Sequence, residues 1–213
     1  MPAVQNERGA GKTFLAIVGG RLVEQVEEGT VGAVSRVNKT GKTVFEKTHD
    51  AWGGIVRDWK IEETDFGKVL RVIFDDAILS LSGKMRDEFI KKFAGADKMQ
   101  PVIISPYPDF VGKDGRPKKS GLSVIQDSQR LYSIFSDYKD GVFIEKNGYP
   151  VAPTQWNKMT EEQQAIYKIQ ANAFLEKYVE ANPINTIGAG SENAPINPDE
   201  EIDTKKQLEE IPW

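Results

Sequence analysis

Glu62, Glu63, Asp65, Asp75 and Asp76 crowd one part of the chain, and carboxylates so grouped could hold a divalent cation for strand cleavage. Adjacent aspartates at a strand end are more often solvated turn residues, so a carboxylate-metal nuclease is kept only as an alternative. His49 is the only histidine. A Ser-His-Asp triad could be built only around it, and no nucleophile-elbow sequence accompanies it. Gly9-Ala10-Gly11-Lys12-Thr13 carries the end of a phosphate-loop pattern, but Asn6 stands where the pattern needs glycine, and residues 14–18 read as a strand where a helix should start. With no cysteines, thiolate chemistry and disulfides are excluded, which fits a reducing compartment. These residues lead to the expectation of a protein that is not an enzyme and needs no cofactor or metal.

A stronger signal comes from aromatic rings set among cations. Strict alternation along 54–62 puts Ile55, Arg57, Trp59 and Ile61 on one face, and along 43–49 it groups Phe45, Lys47 and His49. Trp52, between Ala51 and Gly53-Gly54, reads as an exposed platform. Tyr107 and Phe110 lead into a polar stretch, 109–120, and within 113–119 the cations Lys113, Arg116, Lys118 and Lys119 are opposed only by Asp114. Rings beside cations suit a single nucleic-acid strand, because bases stack on the rings while phosphates meet Lys or Arg; stacking is worth roughly 1–3 kcal/mol per base. For each ring alone, a place in the core is the competing reading.

The elements that must position these residues are mostly short strands. Runs at 12–18, 32–37, 43–48, 54–62, 68–74 and 78–81 are separated by glycine turns, a spacing that favours a small antiparallel barrel. An amphipathic helix follows over 84–94, with Met85, Phe89, Ile90 and Phe93 inward. Strand character returns at 101–105, 122–126, 131–135 and 142–145. Thr160 and Gln163 form a capping-box pattern for a helix to about residue 180, with Ile166, Ile169, Ala173, Phe174 and Leu175 expected to pack on the body. The fold class expected is mainly β with peripheral helices: residues 1–11 as a flexible arm, 12–182 as an OB-like domain, and 183–213 as a tail.

The tail has its own chemistry. From 183 to 213 there are seven acidic residues against two lysines, a net of −5; set against −4 for the whole chain, that leaves about +1 for the body. Its prolines, glycines and asparagines cannot bury enough apolar surface to offset ordering, so disorder is expected. It closes on Glu209, Glu210, Ile211, Pro212 and Trp213, an apolar plug with a terminal carboxylate that a basic partner pocket could hold.

A barrel-like body with interleaved rings and cations, followed by an acidic tail ending in Glu-Ile-Pro-Trp, resembles the single-stranded-DNA-binding proteins of bacteria and their phages. Glu210, Ile211, Pro212 and Trp213 occupy the places of Asp-Ile-Pro-Phe in bacterial members; Trp stands for Phe, and Lys205 and Lys206 interrupt the acidic tail. The resemblance implies an OB-fold that coats single strands in replication, recombination or repair, a tip that recruits other proteins of those processes, and a homo-oligomer of open size. It points to a divergent, phage-type member. The rival expectation is an interaction or virion structural protein that touches no nucleic acid. No 18-residue apolar run or basic-then-apolar leader is present, so no membrane partner is expected and the cytoplasm, the host's for a phage protein, is the default.

Overall fold

The computed structural model describes residues 11–38, 40–65, 67–111, 117–139 and 142–184. The strands, in chain order, are β1 Thr13–Val18, β2 Arg21–Val26, β3 Val34–Val37, β4 Thr43–His49, β5 Trp52–Gly54, β6 Asp58–Thr64, β7 Gly67–Ile73 and β8 Ala77–Ser82. Helix α1, Gly83–Phe93, follows. Then come β9 Val102–Tyr107, β10 Phe110–Val111, β11 Pro117–Lys118, β12 Gly121–Gln126, β13 Gln129–Arg130, β14 Ser136–Lys139 and β15 Val142–Glu145, before helix α2, Glu161–Ala181.

Seven strands form one sheet in the order β3-β4-β2-β1-β8-β7-β6, and β13-β12-β9-β5 form a second. Among the described residues all pairings are antiparallel except β1 with β8, which run parallel with Leu15 opposite Leu79. The alternating pattern explains the core. Register places Leu15, Leu79, Val72 and Trp59 in one row across the large sheet and brings Leu81, Leu70 and Ile61 into the next. That face meets Phe89, Ile90 and Phe93 of α1, Val102 and Ile104 of β9, and Leu122 and Val124 of β12 in a single buried cluster. Apolar burial of this kind is the main favourable contribution to folding.

The protein is mainly β with a few helices, but the expected barrel does not close. β3 and β6 remain the two edges of the seven-stranded sheet. At β6 the end of α2 packs on the core face, where Trp59 Nε1 donates to the Asn182 carbonyl at 2.7 Å and Tyr178 packs edge-on against the indole. The open flank of β12 is managed by side chains. Leu122 N–H donates to Glu88 Oε2 at 2.9 Å, and Lys92, one turn further along α1, donates to the Leu122 carbonyl.

Helix α2 starts at the capping box read from the sequence, with Thr160 Oγ accepting from Gln163 N and the Gln163 side chain accepting from Thr160 N. The face it buries is not the expected one. Ala171, Leu175 and Val179 are its buried residues, at four-residue spacing, while Ile166 and Ile169 are exposed at 48% and 69% and Ala173 is exposed too. Four-residue steps set the contact stripe, so Leu175 and Phe174 pack on the body and the isoleucines lie on the far side. Two further expectations are corrected. Residues 131–135 form no strand, because Leu131 and Phe135 are drawn into the core by side-chain packing; and the body runs on through Ile184, which is buried. Residues 1–10 and 185–213, which include most of the expected arm and tail and the tip Glu209, Glu210, Ile211, Pro212 and Trp213, lie outside the described residues.

Candidate nucleic-acid interface

The expected ring-and-cation residues sort into three groups. The first lies in and just before β6. Trp59 is only 2% exposed, edge-on to Phe93 at 5.3 Å. It cannot stack on a base, which overturns its assignment as a binding residue: alternation put it correctly on a face with Ile61, but that face is the interior. Arg57 precedes β6 and forms a two-pronged ion pair with Asp75, 2.8 Å at each contact, that holds the aspartate's pKa below the usual carboxylate range. Asp75 is thereby turned to a guanidinium, and among the described residues no group of three or more acidic, histidine or cysteine side chains converges as a metal site.

The second group lies on the wing formed by β2, β4 and β3. Register pairs Val26 with Phe45, Glu24 with Lys47 and Leu22 with His49, so Phe45, Lys47 and His49 do share a face, as alternation predicts. Lys47 is exposed and Phe45 half-buried. His49 Nε2 lies 2.9 Å from Glu24 Oε2, and its ring meets Trp52 edge-on at 5.3 Å. Trp52 pairs with Ile104 across β5 and β9, and its half-buried indole faces the core side with its Nε1 buried and unpaired among the described residues. Only part of that ring can reach a ligand.

The third group is an arm. β9 continues from Ile104 to Tyr107, about 10 Å further at strand rise, and the chain then turns at Pro108 into the two-stranded ribbon of β10 and β11, with Phe110 opposite Lys118. The base of the ribbon is fixed. Asp109 Oδ1 accepts from Ser120 N at 2.6 Å and its other oxygen meets Lys119 at 3.4 Å; the Ser120 N–H, with that ammonium, keeps the Asp109 pKa low. The Ser120 carbonyl accepts from Lys84. The β1–β2 turn presses on the same point: a side-chain carbon at Gly20, whose φ is +75°, would lie 2.7 Å from Pro108 N. Tyr107 and Phe110 meet edge-on at 5.9 Å, and Phe110 and Val111 stand 49% and 70% exposed. Lys113 and Arg116 lie outside the described residues, and β11 includes Lys118.

Sequence reasoning missed β2 and with it Arg21, exposed directly after Gly20 at the base of the arm. A Gly-Gly pair between two apolar-rich runs was the available hairpin signal. It also missed Tyr132, exposed on the loop after β13 beside exposed Arg130. Among the described residues no helix is long and apolar enough to cross a membrane. No family model matches the chain, and neither does any curated protein or solved structure.

Proposed function

We propose that the protein binds single-stranded DNA with little sequence preference, in replication, recombination or repair, and recruits other proteins through Glu209–Trp213. The supporting observation is the anchored arm: a half-exposed Phe110 braced by Tyr107, on a ribbon that pairs it with Lys118, in a stretch of sequence that also holds Lys113, Arg116 and Lys119. Rings offer a stacking surface that any base fits, and cations meet the backbone phosphates. Lys47 and Phe45 on the wing, with the edge of Trp52, extend the surface along the strand's path. An OB-like origin for the body is part of this proposal, with the closed barrel left out of it.

The test is fluorescence anisotropy of a labelled dT oligomer titrated with the full chain at low and high salt, beside duplex DNA of equal length. Binding of the single strand that weakens with salt and exceeds binding of the duplex supports the reading; equal or absent binding of both overturns it. A second reading, an interaction or virion structural protein, draws on the open edge strand β3, where Val34 and Val37 are exposed and Val31 lies just before them. Under that reading, replacing Lys113, Arg116, Lys118 and Lys119 by Ala leaves function intact.

A further inference from the structure

The outward face of α2 has a pattern that the nucleic-acid surface does not use. Glu162, Ile166, Ile169, Ala173 and Lys177 follow one another at three- and four-residue steps, and every one is exposed. Two isoleucines at the centre of an otherwise polar helix face form the kind of rimmed apolar patch that is normally covered.

The order of charges selects what covers it. Glu161 and Glu162 stand at one end of the stripe and Lys177 at the other, ~22 Å away at helical rise. Glu176, close by, is held inward by Lys68 at 2.6 Å and Arg86 at 3.5 Å, so it does not oppose Lys177. Laid antiparallel on a second copy of itself, the helix brings Glu162 onto Lys177 at both ends of the interface. The same register sets Ile166 against Ala173, large against small, and leaves Ile169 beside the twofold axis; Glu180 passes beyond the paired stretch. A parallel pairing would set Glu162 on Glu162 and Lys177 on Lys177. From this self-complementarity we infer that the protein forms a homodimer through antiparallel α2 helices, an isologous interface. The stripe is short, so the dimer is weak and concentration-dependent.

The chain has no cysteine, which makes single-cysteine variants clean reporters. Without nucleic acid and under mild oxidation, Ile169→Cys should give a disulfide-linked dimer, whereas Glu162→Cys should not, because antiparallel pairing holds the two copies of residue 162 about 22 Å apart. Sedimentation equilibrium of the unmodified chain should show a dimer that Ile166→Glu with Ile169→Glu weakens at least about tenfold while far-ultraviolet dichroism is unchanged. Lys177→Glu should weaken it as well, and Glu161→Lys with Glu162→Lys added to Lys177→Glu should restore it. Equal cross-linking at both positions overturns the antiparallel arrangement. A monomer at every concentration overturns the dimer and leaves the stripe to a different partner.

Discussion

Tyr107 occupies the space that a side chain on Gly121 would fill. The two residues are opposite each other in the β9–β12 pair, and a carbon added to Gly121 would lie 2.6 Å from Tyr107 Cζ and 3.1 Å from Glu88 Oε2. Glu88 is committed to the Leu122 N–H and to Lys92, so the carboxylate has little room to retreat. The glycine therefore fixes where the Tyr107 ring lies, and through the 5.9 Å approach to Phe110 it fixes how the arm presents its exposed ring.

Gly121→Ala should destabilise the fold by about 1–3 kcal/mol, as overpacking of a buried site does. It should also weaken binding of a dT oligomer, because Tyr107 no longer braces Phe110. Removing the ring in the Gly121→Ala, Tyr107→Ser double variant should recover part of the stability but none of the binding. Urea denaturation with anisotropy on the same samples separates the two effects.

Phe110→Ala removes a half-exposed ring with few packing duties, so stability should change by less than about 0.5 kcal/mol. Affinity for single strands should fall roughly 5- to 150-fold, the range expected for losing one stacked base. Lys118→Ala with Lys119→Ala should act differently, lowering the dependence of affinity on salt by about 0.7 in log-log slope for each phosphate that is no longer neutralised. A Phe110→Ala chain that binds as tightly as the original would remove the arm from the interface.

Trp59→Ala should cost about 3–5 kcal/mol of stability, through the cavity left beside Phe93 and Tyr178 and the Asn182 carbonyl left without its donor. Trp59→Phe should keep most of the packing and lose mainly the hydrogen bond. Binding per folded molecule should be unchanged in both, which thermal melts and a stoichiometric titration of the folded fraction with the dT oligomer would show.

That tryptophan marks how far the sequence could be read. Period-two alternation grouped Trp59 with Ile61 and Phe45 with Lys47 and His49, and the registers agree. Alternation cannot say which face a second layer will cover, since that depends on α1 and β9, remote in sequence. The same gap misdirected α2: the capping box located its start from local hydrogen bonds, while the choice between Ile166 and Ala171 as the buried stripe was made by Trp59 and the core across from it. Trp52 failed for a related reason, because glycine neighbours suggested exposure and pairing with Ile104 turned the indole inward. The arm was legible as ring and charge composition, but its anchoring needed Gly20, Asp109 and Ser120, three residues whose meeting no spacing rule predicts.

Stability should pass through a maximum near pH 10. Lys98 lies between the Phe93 ring at 4.0 Å and the Trp59 ring at 5.6 Å, donating to the Phe93 carbonyl. Burial pushes its ammonium down to about 8, with Asp97 partly holding it up; Lys91 is lowered by burial in the same sense. An unfolded lysine titrates near 10.4. Between about pH 8 and 10 the unfolded chain therefore holds protons that the folded chain has released, and stability rises with pH. Above about pH 10 the tyrosines reverse the sign. Burial raises Tyr149, Tyr178 and Tyr167, the last to about 12, so the folded chain keeps protons that the unfolded chain loses. Urea midpoints measured from pH 7.5 to 11 should climb and then fall. Lys98→Met should be more stable than the unmodified chain at pH 8 and climb less steeply, with the descent above pH 10 unchanged. A climb of undiminished slope in Lys98→Met would assign the rise to some other group.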